Sequence, residues 1–159
     1  MRIPTIYLET TMFNYYFEKG REAYPYTVRL FDEIRKGLFE PYTSQYVIDE
    51  LALVPEPKRT AMLGLIDEFD VRIFDADLEA ERLADLYVTE GIIPPKYKTD
   101  GRHIAIATVK NLHFIVSLNF KHIVRRRTVL LTEVVNVREG YGKVGIFSPM
   151  EVVGDERAE

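Results

Sequence analysis

The chain of 159 residues contains no cysteine. This excludes disulfide bridges, thiolate metal sites and a cysteine nucleophile, and it fits a reducing compartment. No apolar run approaches the roughly 18 residues that a membrane span needs. The short apolar start carries an acid at Glu9, which is unlike a signal peptide. We therefore expect a cytoplasmic protein with no membrane segment.

Several common signatures of catalytic or metal sites are also missing. The sequence has no glycine-rich phosphate loop, and Ser117 lacks the glycine context of a nucleophile elbow. The histidines, His103, His113 and His122, do not have the spacing of a zinc site. Acidic residues are then the main candidates for chemistry.

The net charge of −4 hides an uneven distribution. Between Ile92 and Arg127 there are eight positive residues and one acid, Asp100, so this stretch carries +7 and the rest of the chain −11. A local basic surface matters more for binding phosphates than the total charge does. An ordinary solvated basic face is the alternative interpretation. The candidates for nucleic-acid binding are Lys96, Lys98, Arg102, Lys121, Arg125, Arg126 and Arg127.

Short apolar strands alternate with helical patterns along the chain. The predicted strands are Ile3–Leu8, Phe39–Tyr42, Val71–Phe74, Phe114–Leu118 and Val144–Phe147. This alternation predicts an α/β fold with three α/β/α layers and a mainly parallel central sheet. The hydrophobic fraction of 47% suffices for a core. We expect one domain over residues 1–150 and a loose acidic tail over residues 151–159.

Helix boundaries follow from capping and breaking residues. Thr10 or Thr11 is expected to cap the first helix, and Asp77 to cap a helix with Leu78 on its apolar side. Residues 92–99 are predicted to form a loop, with Asp100 opening the next helix. A long helix is expected over Arg125–Glu139. Glycine or asparagine ends four of the helices, at Gly37, Gly91, Asn111 and Gly140.

Polar residues lie at the predicted ends of strands and starts of helices. Glu9 and Asn119 follow strands, and Glu50 and Asp100 lie on helices near strand–helix junctions. Parallel sheets place ligands at the carboxyl ends of their strands. Clustered carboxylates repel one another unless a cation lies between them, and Mg²⁺ or Mn²⁺ is the natural partner for oxygen ligands. Taken singly, each residue also has a commoner role as a surface, capping or turn residue.

Five segments together resemble the motifs of PIN-domain proteins. The first, residues 6–14, ends a strand with an acid and a hydroxyl residue, and the second, residues 44–51, has a helical Glu before an apolar residue. The third, residues 100–107, opens with Asp and contains His-Ile-Ala-Ile-Ala. The fourth, residues 114–123, is a strand followed by Asn, and the last, residues 145–151, is a strand followed by a proline turn. The resemblance covers nearly the whole chain in the right order.

The resemblance implies a PIN-like fold and a Mg²⁺- or Mn²⁺-dependent endoribonuclease. Many small members, the VapC type, are toxins of toxin–antitoxin modules, so a cognate antitoxin and a homodimer are expected partners beside RNA. By position, Glu9, Glu50, Asp100 and Asn119 become catalytic and metal-binding residues. Thr10 and Ser117 become hydroxyls that orient ligands or water. Glu9 and Asn119 both stand where the family commonly has Asp.

A second hypothesis keeps the fold but not the activity. In it the chain is a catalytically weak PIN-like module that binds RNA or a protein partner. The two hypotheses differ in whether Glu9 and Asn119 still allow the site to hold a metal ion.

Overall fold

The computed structural model of the chain describes residues 2–153. A five-stranded sheet lies at its centre, and every pair of neighbouring strands is parallel. Helices cover the sheet in a three-layer α/β/α arrangement, as the alternating pattern predicted. The tail expected after residue 150 falls largely on residues 154–159, which lie outside the described residues.

Strands and helices alternate along most of the chain. The strands are β1 (Thr5–Leu8), β2 (Glu40–Ser44), β3 (Arg72–Phe74), β4 (Phe114–Val116) and β5 (Gly145–Phe147). The helices are α1 (Thr10–Tyr15), α2 (Tyr24–Arg35), α3 (Gln45–Leu51), α4 (Lys58–Glu68), α5 (Leu78–Thr89), α6 (Lys98–Val109), α7 (Arg126–Arg138) and α8 (Pro149–Val152). A short 3₁₀ turn over Pro95–Tyr97 leads directly into α6.

The strand order is β3-β2-β1-β4-β5, so the first strand is the central one. The chain fills the sheet on one side of β1 through β2 and β3, then crosses to the other side for β4 and β5. The reversal creates a topological switch point between β1 and β4, at whose carboxyl ends such sheets bind ligands. Leu8 pairs with Val116 at this point, so the residues that follow them, Glu9 and Ser117, flank the crevice.

Burial follows the hydrophobic pattern. Ile6, Tyr7 and Leu8 of β1 are fully buried, as expected for the central strand of a sheet covered on both faces. In α6, every residue from His103 to Thr108 is buried, because α5 packs along one side of the helix and the sheet lies on another. These two elements therefore hold their polar residues, Tyr7 and His103, inside the molecule.

The predicted ends of helices are confirmed by backbone geometry. Gly91 and Gly140 have positive φ angles of 74° and 86°, and each lies just after the end of a helix. Asn111, with φ of 56°, ends α6 in the same way. Left-handed residues at this position allow the last helical carbonyl groups to be satisfied.

Some predicted boundaries were wrong. Glu9, and not Thr10 or Thr11, caps α1, because its longer side chain folds back to accept from Thr11 N. Asp100 is the third residue of α6 and not its first, because the 3₁₀ turn starts the helix two residues earlier. Leu78 is 90% exposed, since it lies in the first turn of α5 before the helix meets the core.

The long helix was also predicted slightly too long. It covers Arg126–Arg138, with Arg125 as its N-terminal cap residue in extended conformation. None of the helices in the part of the chain that the structure describes has the length and hydropathy needed to span a bilayer.

A buried hydrogen-bond chain joins three of these helices. The Tyr87 hydroxyl on α5 donates to Asn136 Oδ1 on α7 over 2.5 Å, and Asn136 Nδ2 donates to Thr108 Oγ1 on α6 over 3.3 Å. All three side chains are buried, so water cannot replace a missing partner.

We therefore expect Tyr87→Phe to lower the free energy of unfolding by about 1–3 kcal/mol, because it leaves the Asn136 oxygen buried without a donor. Urea denaturation followed by circular dichroism measures this loss. Tyr26→Phe is the matched control, since Tyr26 is 39% exposed. Equal stability of the two variants would contradict the structural role of the Tyr87 hydroxyl.

Candidate active site

Glu9 lies at the centre of the crevice and is almost completely buried. Only 3% of its surface is exposed. Its Oε1 atom accepts from Thr11 N over 3.1 Å, from Thr11 Oγ1 over 2.5 Å and from Ser117 Oγ over 2.7 Å. The carboxylate therefore joins the end of β1, the start of α1 and the residue that follows β4.

The Thr11 and Ser117 hydroxyls are themselves fixed by the backbone. Thr11 Oγ1 accepts from Leu118 N over 2.8 Å, and Ser117 Oγ accepts from Asn119 N over 2.9 Å. Both hydroxyl protons consequently point at Glu9. The sequence indicated Ser117 as a residue that orients a ligand, and the structure places it against Glu9. It did not indicate Thr11.

Glu50 reaches the same crevice from α3. Its Oε1 accepts from Thr10 Oγ1 over 2.5 Å, so the Thr10 hydroxyl contacts the Glu50 carboxylate directly. The same oxygen is 2.6 Å from His103 Nε2 on α6. The Glu50 side chain is 37% exposed and opens into a groove of about 470 Å³, which Tyr46, Leu53 and Arg102 also line. Glu50 therefore connects the buried site to solvent.

A buried polar chain holds His103 from its other side. His103 Nδ1 lies 2.7 Å from the Tyr7 hydroxyl, which lies 2.6 Å from Ser44 Oγ at the end of β2. His103 and Tyr7 are both fully buried. Sequence reasoning missed this chain, because nothing local in the sequence pairs residues that are 96 positions apart.

Glu9, Glu50 and His103 can each direct one atom to a common point. These atoms lie within 4.8 Å of one another. Among residues 2–153, no other group of three acidic or histidine residues brings its ligand atoms this close together. Both ring nitrogens of His103 are already engaged in hydrogen bonds, however. We therefore assign His103 the role of orienting Glu50. The carboxylates are then the groups that could coordinate a metal ion.

Asp100 lies one helical turn before His103 and is half-buried. Burial raises its pKa. The charge of His103 and the neighbouring Asn119 side chain lower it, and the charge of Glu50 raises it. Asp100 is therefore within electrostatic range of the other members of the site. It does not belong to the close group that Glu9, Glu50 and His103 form.

Asn119 contacts two parts of the site at once. Its Oδ1 accepts from His122 N over 3.0 Å, which closes the turn after β4, and its side chain lies close enough to Asp100 to lower the pKa of that carboxyl. Of the four residues predicted from sequence, the structure thus brings Glu9 and Glu50 together, with Asp100 in electrostatic range of Glu50 and Asn119 hydrogen-bonded to Ser117. As a metal ligand, Asn119 would have to use the second lone pair of its oxygen.

The charges of the site are strongly coupled. Burial raises the pKa of Glu9, although His103, Thr11 and Ser117 counteract it. Burial also acts to raise the pKa of Glu50, but the hydrogen bonds from His103 and Thr10 and the charge of His103 lower it overall. Burial would lower the pKa of His103, yet Glu50, Glu9 and Asp100 raise it above its usual value. The site therefore favours a positive charge among its carboxylates.

The donor set fits a divalent cation. Every hydrogen bond from the described residues to Glu9 and Glu50 goes to Oε1, so the Oε2 atom of each carboxylate accepts none. Oxygen ligands suit Mg²⁺ and Mn²⁺. Burial raises the pKa of Glu9 and of Asp100. A bound cation would offset this rise, because it favours the charged form of a carboxylate.

The basic stretch is divided by its ion pairs. Acidic residues of α5 and of its N-terminal cap pair with cations on α6 and just after it: Asp85 with Lys98 at 2.5 Å, Glu81 with Arg102 at 2.6 Å and Asp77 with Lys110 at 3.3 Å. Within residues 2–153, the other cations of the stretch have no acidic partner. They are Lys96, Lys121, Arg125, Arg126 and Arg127.

Comparison with solved structures identifies the fold. The chain is similar to the toxin VapC20 of Mycobacterium tuberculosis, described as cleaving the sarcin–ricin loop, with a TM-score of 0.53 and 16% identity over 69% of this chain and 86% of that chain. It is also similar to a chain of the promoter-DNA-bound VapBC2 complex of Rickettsia felis, with a TM-score of 0.54 and 14% identity over 91% of this chain and 98% of that chain.

A chain of the DNA-bound VapBC complex of Salmonella typhimurium gives a similar result, with a TM-score of 0.54 and 14% identity over 92% of this chain and 98% of that chain. No family model matches the sequence, and no curated protein sequence matches it. The likeness is thus one of architecture, and it agrees with the motif resemblance. The chain has a VapC-like PIN-domain fold.

Proposed function

We propose that this protein is a divalent-metal-dependent endoribonuclease, acting as a VapC-like toxin. The observation that carries the proposal is the convergence of Glu9 and Glu50 on the switch point of a VapC-like sheet, with Asp100 within electrostatic range of Glu50. Structural neighbours include a toxin described as cleaving the sarcin–ricin loop, which supports RNA as the substrate class.

Glu9, Glu50 and Asp100 are the proposed ligands of Mg²⁺ or Mn²⁺, with Asn119 beside Asp100. The chemistry that such a cation supplies is the neutralisation of phosphate charge and the activation of water for in-line displacement. The protein's part is to fix the carboxylates before substrate arrives. Thr11 and Ser117 orient Glu9, and Thr10 and His103 orient Glu50.

The phosphate backbone of RNA is proposed to lie over the cations that have no acidic partner. Lys121 follows Asn119 closely in sequence, and Arg125–Arg127 begin α7 just beyond the same turn. Lys98 and Arg102 were also expected to bind nucleic acid, but their pairing with Asp85 and Glu81 reduces the charge available to a phosphate.

An antitoxin is a proposed protein partner, because two of the structural neighbours are VapBC complexes. Homodimer formation stays a proposal that follows from the resemblance alone. Co-expression with the product of an adjacent gene, followed by size-exclusion chromatography, tests both partners.

The first prediction concerns Asp100. Asp100→Ala should lower the metal-dependent cleavage rate of a mixed RNA pool by about two orders of magnitude or more while leaving the fold intact, because it removes an anionic ligand. Cleavage is measured with Mg²⁺ or Mn²⁺ and with EDTA, and folding by circular dichroism. Asp32→Ala, which removes an exposed acid on α2, is the control.

Calorimetric titration of the wild-type protein with Mn²⁺ provides the decisive comparison. Absence of binding even at millimolar Mn²⁺, together with EDTA-insensitive RNA binding, would favour the catalytically weak binding module. A folded Asp100→Ala variant that cuts at the wild-type rate would remove Asp100 from the site.

A second prediction uses the histidines as reporters. In metal-free protein, His103 should titrate above the usual histidine pKa, because Glu50, Glu9 and Asp100 favour its protonated form. His122 should titrate below the usual pKa, because of burial and the nearby charges of Lys121 and Arg125. The stabilising contribution of protonated His103 is then fully present below about pH 6.5 and is lost as the pH rises through the folded-state pKa.

Mg²⁺ should lower the pKa of His103, because the cation offsets the carboxylate charges, and should leave His122 nearly unchanged. Two-dimensional proton–carbon NMR of the imidazole groups measures both values, with NaCl of equal ionic strength as control. A His103 pKa below that of His122, or one insensitive to saturating Mg²⁺, would count against the proposed charge arrangement.

The third prediction concerns the start of α7. Replacing Arg125, Arg126 and Arg127 together by Gln should weaken RNA binding and flatten its salt dependence, because fewer counterions are released. The log–log slope should fall by roughly 0.7 for each phosphate that the variant no longer neutralises. Mn²⁺ affinity should hardly change. Fluorescence anisotropy at several salt concentrations gives the slope. An unchanged slope would instead identify these arginines as a solvated face or a protein-binding surface.

A further inference from the structure

Two aromatic rings lie stacked beside the proposed active site. The Tyr97 and His122 rings have centroids 4.3 Å apart and planes inclined by 30°. Tyr97 is 37% exposed, so its ring is only partly covered by this contact. Neither residue has a part in orienting the carboxylates of the site. An exposed ring that is held by a second ring is a rigid surface on which a planar group can stack.

Cations surround this pair. The Lys96 and Lys121 ammonium groups lie over the Tyr97 ring, 5.7 Å and 5.9 Å from its centre. A base that stacks on this ring would displace them, and both flexible side chains could then reach its phosphates. Both lysines are exposed, and neither has an acidic partner among residues 2–153. An aromatic surface between two unpaired cations suits a ligand that combines a flat ring with negative charge. A nucleotide has both features.

His122 continues the aromatic surface into a groove. This groove, of about 350 Å³, is lined by His122, Pro94 and Pro95 and, at its basic side, by Arg125 and Arg127. The pKa of His122 is lowered by burial and by the charges of Lys121 and Arg125. The groove thus extends from the stacked pair toward the arginines at the start of α7.

The position of the pair relative to the acidic site is fixed on both sides. Tyr97 ends the 3₁₀ turn that leads into α6, three residues before Asp100. His122 lies in the turn after β4, and its backbone N–H donates to the Asn119 side chain over 3.0 Å. Asn119 N in turn donates to Ser117 Oγ, which donates to Glu9, so the stacked pair is connected to the site through Asn119 and Ser117.

We propose that the Tyr97–His122 pair is a stacking platform for one unpaired base of the RNA substrate, with Lys96 and Lys121 contacting its flanking phosphates. The inference rests on the proposed ribonuclease function and refines it. The substrate is RNA that is single-stranded next to the scissile bond, because a base inside a duplex has no free face to place on Tyr97.

Binding of fluorescein-labelled RNA, measured by anisotropy in EDTA so that metal-dependent hydrolysis cannot occur, tests the platform. The probes are a short single strand, its duplex and the same strand with abasic residues. Tyr97→Leu should weaken binding of the single strand about 5- to 100-fold and should affect the other two probes little. Tyr97→Phe should weaken it less than Tyr97→Leu, because it retains the ring.

Tyr26→Leu serves as the matched control, since Tyr26 has similar exposure and lies on α2. If Tyr97→Leu fails to fold by circular dichroism, the double variant Lys96→Gln/Lys121→Gln replaces it. That variant should flatten the salt dependence of single-strand binding by roughly 0.7 in the log–log slope for each phosphate it no longer neutralises.

Cleavage by the wild-type protein with Mg²⁺ or Mn²⁺ is measured separately, so the two proposals fail independently. Selective loss of single-strand binding without any wild-type cleavage would support the platform and overturn the nuclease. If the wild-type protein cleaves RNA but Tyr97→Leu weakens the binding of all three probes equally, or of none of them, only the platform is overturned. Wild-type protein that binds no RNA in EDTA would also overturn the platform.

Discussion

The burial of one carboxylate organises this protein. Glu9 is 3% exposed, and a single oxygen of it receives hydrogen bonds from Thr11 and Ser117. These contacts join the two strands that flank the switch point to the first helix. Removing a carboxylate from water is unfavourable and raises its pKa, and the neighbouring imidazole and the surrounding donors counteract that rise. The acidic site is thus also a structural junction.

A second chain of hydrogen-bonded side chains holds the Glu50 carboxylate in place. It runs from Ser44 through Tyr7 and His103 to Glu50, and so it links the ends of β1 and β2 to α6 and α3. Every member except Glu50 is buried, which prevents water from loosening the chain. Sites whose supporting side chains are locked in this way hold their reactive groups in a narrow range of positions. Glu50 can therefore be both solvent-accessible and well oriented.

The places of these residues in the fold could be predicted in part, because parallel strands end at one edge of the sheet. Glu9 and Asn119 were expected there from the apolar runs before them, and Glu50 and Asp100 from the motif resemblance, whereas their role as metal ligands stays a prediction. The supporting partners could not be predicted, since the hydroxyl of Tyr7 and the ring of His103 meet only after a crossover. The ion pairs between cations of α6 and acids of α5 could not be predicted either, because they form only when the two helices pack together. These ion pairs determine which lysines and arginines are available to bind a phosphate. Local errors, such as the cap of α1, arose where a longer side chain competed with a nearby threonine.

The position of the Asn119 side chain has a thermodynamic consequence. It accepts a hydrogen bond from the turn that carries His122, and it also lowers the pKa of the nearby Asp100 carboxyl. Any ligand that shifts this turn changes the environment of Asp100, and any cation that binds Asp100 changes the restraint on the turn. Such coupling is reciprocal, because the factor by which one occupant alters the affinity of the other is the same in both directions. A ligand on this turn and a cation on the Asp100 carboxylate would then share one coupling free energy.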